Sequence, residues 1–180
     1  MSYVNSWRWK TPMADADTFA EWSSDIHSLL DELSIPEREL PAYAYGGGPI
    51  PIKGGYTPIF YRTHIRGPSG RGEAVMTPTK VAFNGNASLG EACEPFIITL
   101  QDLKTANPFA GCKTRAEPYD LLVISALVRL AHYFPEVLIA SDGEEHTIPM
   151  AVQICREVFG DNKFPVVDHW QDEGEESLPD

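Results

Sequence analysis

The sequence predicts an α+β fold in one globular domain, and three observations predict it. Apolar residues recur at helical spacing near the N-terminus, a Pro- and Gly-rich middle alternates with period two, and the C-terminal half switches between short apolar runs and helical stretches. A chain of 180 residues has room for one core, burying about two-thirds of its unfolded surface. A content of 43% hydrophobic against 22% charged residues fits a folded chain.

The first element is a helix expected from about Asp15 to Leu33, because Phe19, Trp22, Ile26, Leu29, Leu30 and Leu33 recur at intervals of three and four. Thr18 and Glu21 have the spacing of a capping box, while Asp15 or Asp17 would cap an earlier start; Pro36 ends the helix. Before it, Trp7 and Trp9 suit a short strand with both indoles on one face.

From Pro41 to Pro78 the chain holds six Pro and eight Gly in 38 residues, which reads as loop and edge strand. The run Gly46-Gly47-Gly48 lacks the spacing of a phosphate loop and is followed by a proline, so it reads as a turn. Thr57 to Arg66 alternates as a half-buried strand. A turn from Gly67 to Gly72 then leads to a second extended run, Ala74 to Phe83, broken by Pro78 and closed by Asn84-Gly85: a β-hairpin. Arg62, His64 and Arg66 share the face of this hairpin expected to be exposed, with Arg71 at its tip. They form a candidate anion site, although cations on the wet face of a strand also serve simply to keep a sheet edge soluble.

The C-terminal half reads as βαβαβ contributing to a mixed sheet: a strand at Pro95–Leu100, a helix at Pro118–Phe134, a strand at Val137–Ala140, a helix at Thr147–Phe159 and a strand at Phe164–Val167. The first helix is apolar nearly all round, with one polar seam of Ser125, Arg129 and His132. The second has Thr147 as cap and Gly160 past its end.

Were the strands parallel, the loops at their carboxyl ends would gather on one sheet edge, where open α/β folds bind ligands. These loops carry Cys112 to Arg115, Ser141 to His146, and Asp168-His169. In one chemistry, Lys113, Arg115 and the N–H groups opening the Pro118 helix hold an anion, with Asp142 and His146 as catalytic acid and base. In another, Asp142, Glu145, His146 and Asp168 hold a divalent cation that activates water. Asp-Gly turns and acids ahead of a helix also occur for purely structural reasons. Cys112, beside two cations and a helix start, is a candidate nucleophile, but it belongs to no cysteine-enzyme signature. No cofactor is predicted beyond that cation.

Net charge is −12, from 14 Lys+Arg and 26 Asp+Glu. Six of the acids lie between Asp168 and Asp180 with no Lys or Arg among them, so residues 1–167, with the 14 bases and the other 20 acids, stand at −6. The expected organisation is a domain over 1–167 and an acidic, mobile tail over 168–180, free to grip a basic partner. This charge favours a protein partner over nucleic acid. Three widely spaced cysteines make no disulfide framework. The N-terminus lacks an apolar signal core and no run has the length of a membrane span, which implies a cytoplasmic location without membrane association.

The residues Cys112-Lys113-Thr114, Pro118-Tyr119-Asp120, the apolar helix and Ser141-Asp142-Gly143 together resemble a pattern in uncharacterised bacterial and bacteriophage proteins of no known activity. The resemblance spans about residues 107–160 and implies a cytoplasmic microbial or phage setting. Two functions are carried forward: a non-enzymatic binding protein, as a phage or bacterial accessory factor, and a small hydrolase or phosphoryl-processing enzyme using Lys113, Arg115, Asp142, His146 and Asp168.

Overall fold

Strand β1 (Val4–Trp9) follows the predicted alternation: Asn5, Trp7 and Trp9 are buried, whereas Val4, Ser6 and Arg8 are half-buried. This is seen in a computed structural model that describes residues 3–13, 15–34, 49–50, 60–61, 63–142 and 147–160. Helix α1 (Ala16–Leu33) buries Phe19, Trp22, Ile26, Leu29 and Leu33 as its spacing predicts. Asp15 is its cap: the backbone there is still extended, and the side chain accepts from Asp17 N at 3.1 Å.

The middle departs from the predicted hairpin. Strands β2 (Pro49–Ile50) and β3 (Phe60–Tyr61) pair with each other, and Thr63 makes a parallel bridge to Ser34 at the end of α1. Residues 75–83 instead form their own hairpin, β4 (Val75–Thr77) and β5 (Lys80–Phe83), with Pro78 and Thr79 as its turn. Pro78, with fixed φ and no N–H to give, is better used in a turn than in a strand. Only an antiparallel bridge, Arg66 to Asn84, ties the 63–66 segment to this hairpin.

Strand β6 (Phe96–Thr99) completes an antiparallel sheet in the order β4-β5-β6 and runs into the short helix α2 (Leu100–Leu103), capped by Thr99 and Asp102. The predicted strand at Pro95–Leu100 therefore exists, but it sits outside the βαβ unit. An unpredicted strand, β7 (Asn107–Lys113), takes that place, followed by α3 (Asp120–Tyr133), β8 (Leu138–Ser141) and α4 (Thr147–Phe159). Both β7 and β8 are antiparallel to β1, in the order β7-β1-β8, so they are parallel to each other with β1 between them. The expected final strand at 164–167 and the acidic tail lie outside the described residues.

The two three-stranded sheets meet through Trp7 and Phe96, 5.4 Å apart, and Phe96 stacks on Phe83 at 5.0 Å. Helix α3 lies in the core with ten consecutive buried residues from Leu122 to Ala131. Of its polar seam, Arg129 is paired within the fold, whereas the buried Ser125 hydroxyl has no hydrogen-bond partner among the described residues. Arg129 forms an ion pair with Asp25 of α1, Tyr133 donates to the same carboxylate at 2.9 Å, and the guanidinium lies over the Phe159 ring at 4.2 Å. Among the described residues, no helix is long and apolar enough to cross a membrane.

Candidate functional site

The split βαβ arrangement brings the carboxyl ends of β7 and β8 to one edge, beside the start of β1, where Val4 pairs with Lys113 and Asn5 with Ser141. Two of the three predicted loops thus converge. At their meeting point lies a polar group that the sequence did not flag: Asp120 Oδ1 accepts from Asn5 Nδ2 at 2.7 Å and from the Thr114 hydroxyl. All three residues are buried. Burial raises the Asp120 carboxyl above its ordinary range, the bonds from Thr114 and Asn5 oppose that rise, and the nearby charge of Asp142 adds to it.

Asp142 itself is exposed and ties down the first strand. Its carboxylate accepts from Val4 N, and its own N–H donates to Val4 O at 3.2 Å. Across the edge, Thr114 N and Arg115 N both donate to Tyr3 O, at 3.0 and 3.3 Å. Arg115 and Ala116 both adopt φ of 58°, a left-handed pair that turns the chain between β7 and α3. Burial, and then the charge of Glu91, raise the Glu117 carboxyl above its ordinary range, and the exposed Arg115 opposes that rise. Lys113 is half-buried, and its backbone N–H donates to Glu94 Oε2 at 2.8 Å.

This geometry changes the expected chemistry. The first turn of the helix that was to receive an anion carries Asp120, whose carboxyl accepts from the Asn5 and Thr114 side chains rather than from the helix N–H groups. Of the residues proposed for a cation, only Asp142 lies among those described; Glu145, His146 and Asp168 do not. Among the described residues no group of three or more His, Cys, Asp or Glu is placed to hold a metal ion. Cys112 is fully buried and donates to Glu94 O at 3.3 Å. Its thiol is pushed up to about 12 by burial and by Glu94, Asp120 and Cys93, the reverse of nucleophile activation.

The basic hairpin face is likewise corrected. His64 and Arg66 are 2% and 5% exposed, respectively. His64 Nδ1 pairs with Glu91 Oε2 at 3.0 Å, and Arg66 Nη1 donates to Ile65 O at 2.8 Å. The segment turns inward after Thr63 rather than running along a sheet edge, so these groups serve packing. Arg62 lies outside the described residues, and Arg71 is exposed on the turn.

The structure also presents a surface that the sequence reading missed. Register places Phe109, Gly111 and Lys113 of β7, the half-buried Val4, Ser6 and Arg8 of β1, and Leu138 and the buried Ala140 of β8 on the sheet face opposite Asn5, Trp7 and Ile139. Phe109 is 64% exposed and Leu138 48%. Spotting Phe109 required β7, whose Asn-Pro-Phe-Ala-Gly-Cys-Lys composition is poor in strand formers. Asn5, on the same strand face as two indoles, was the readable signal for a buried polar partner. No family model, curated protein or solved structure matches this chain.

Proposed function

We propose that this chain is a non-enzymatic binding protein that engages a protein partner, as an accessory factor in the bacterial or phage setting its resemblance implies. The observation that carries this reading is the pair of exposed apolar side chains, Phe109 and Leu138, on the two outer strands of a sheet whose other face is buried. Exposed aromatics on a rigid sheet are typical anchors of protein interfaces. The strand-end polar groups support the same reading, because Asp120, Thr114, Asn5 and Asp142 are engaged in hydrogen bonds within the fold. The alternative, a hydrolase or phosphoryl-processing enzyme, would use Lys113, Arg115, Asp142, His146 and Asp168, of which the described residues bring Lys113, Arg115 and Asp142 to one end of the sheet.

The test is crosslinked capture with the full chain, a Phe109→Ser/Leu138→Ser variant, and a chain ending at Val167, all first matched by circular dichroism. The expected result is a discrete partner captured by the full chain and lost with the face variant. Capture that survives the face variant but needs residues 168–180 moves the contact to the acidic tail. Capture indifferent to both sinks the reading.

A further inference from the structure

We infer that Asn84 is a latent covalent modification site: the fold keeps its amide from being attacked by the Gly85 nitrogen, and conversion after a local opening irreversibly releases the two loops that Asn84 joins. The inference uses no part of the sheet face and stands independently of the binding reading.

Asn84-Gly85 is the one Asn-Gly pair in the chain. In such a pair the Gly nitrogen, with no side chain beside it to hinder approach, is able to attack Asn Cγ. A new N–Cγ bond closes a succinimide ring, the Cγ–Nδ2 bond breaks, and ammonia leaves with the proton lost by the Gly nitrogen. Water then opens the ring at either carbonyl, giving aspartate or isoaspartate.

Asn84 is 3% exposed, and its side chain uses every donor and acceptor it has. Its Nδ2 donates to Pro68 O at 3.3 Å and to Cys93 O at 3.1 Å, while Oδ1 accepts from Gly85 N at 2.8 Å and from Cys93 N at 3.2 Å. Its backbone exchanges two more bonds with Arg66, at 2.8 and 2.9 Å. One residue thus fastens the 66–72 turn and the 85–93 loop to the end of β5.

The same bonds oppose the reaction. Gly85 N turns its hydrogen toward Oδ1 and presents no lone pair to Cγ; Nδ2 meets two carbonyl acceptors and no group that would protonate departing ammonia. Gly85 is also wedged, since a Cβ there would lie 2.1 Å from Glu91 O. Attack therefore requires the clasp to open first. Once converted, residue 84 carries a carboxylate, which has no donor for Pro68 O and Cys93 O and sets an anion against two carbonyl oxygens. The clasp then cannot close as before.

The experiment incubates the full chain at mildly alkaline pH, in buffer and in guanidinium, and follows the mass of the tryptic peptide holding Asn84, with fragmentation to locate the change. Conversion at Asn84 is expected to be slower in buffer by about tenfold or more. Equal rates in the two conditions overturn the inference. The release is read by hydrogen exchange on chain converted in guanidinium and returned to buffer, against unconverted chain taken briefly through the same steps. Amides of 66–72 and 85–93 are expected to exchange about tenfold faster in the converted chain, with α1 and α3 unchanged. Exchange as slow as in the control, or an increase spread equally over α1 and α3, overturns the local release.

Discussion

Asn5 of the first strand donates a 2.7 Å hydrogen bond to Asp120 Oδ1 at the start of α3, across 115 residues of chain. With the Thr114 hydroxyl on the same oxygen, this bond locks β1 between the parallel strands β7 and β8. A buried carboxyl is tolerated there because donors from two different elements converge on it.

Asp120 also makes stability depend on pH. Its carboxyl is raised in the fold, so its contribution is fully present below the unfolded carboxylate value and is lost as pH rises through the folded one. Asp120→Asn keeps an acceptor for Asn5 and Thr114 while removing the charge. Thermal melts should show the Asn variant gaining on the parent protein as pH rises from about 4 to 7. A constant difference across that range contradicts the assignment. Asn5→Ala, which strips a donor from the buried carboxyl, should cost about 1–3 kcal/mol at neutral pH.

The ion pair of Arg129 with Asp25 is the main polar contact between α1 and α3. Arg129 is 3% exposed, so Arg129→Met leaves a carboxylate short of its cation in a half-buried position and also removes the packing on Phe159. Urea unfolding should report a loss of about 3 kcal/mol. Adding Asp25→Asn should recover part of that loss, because the unpaired charge is then gone. Strict additivity of the two substitutions would show that they do not interact.

Two glycines in one loop should respond differently to Ala. At Gly85 a Cβ would lie 2.1 Å from Glu91 O, a backbone atom in a buried turn. Gly85→Ala should therefore destabilise by about 3 kcal/mol, at the upper end of overpacking costs. Gly90 has open space around its Cβ direction, and only its φ of 76° opposes a side chain. Gly90→Ala should cost about 1 kcal/mol. Chemical denaturation of the pair measures the difference, and similar costs would discount the close approach.

The cysteines should separate by accessibility. Cys112 and Cys155 are buried, and burial pushes both thiols up to about 12, whereas Cys93 is partly exposed. Iodoacetamide at neutral pH should label Cys93 alone in the native chain and all three cysteines in denaturant, as read by peptide mass. Native labelling at Cys112 would contradict its burial.

Helix α1 was legible to within a residue, because Phe19, Trp22, Ile26, Leu29 and Leu33 carry a local period that needs nothing from the rest of the chain. Likewise the α3 interior, α4 with its Gly160 stop, and the indole face of β1 follow from neighbours a few residues away. What the local pattern misread was pairing. Strand β7 is written in residues with little strand preference and exists because β1 lies beside it. The alternation from Thr57 to Arg66 looked like a hairpin strand, but the chain turns inward and buries His64 and Arg66.

The candidate site divides the same way. Sequence alone marked 112–115 and 141–142 as polar segments ahead of two helices, but their convergence depends on β7 and β8 flanking β1, and β7 was not legible locally. Only the tertiary structure decided that Asp120 meets Asn5 and Thr114, that Cys112 is sealed, and that Phe109 and Leu138 are exposed. Each of these depends on which strand is neighbour to which. That choice is made by non-local burial and hydrogen bonding, contributions that no window of sequence contains.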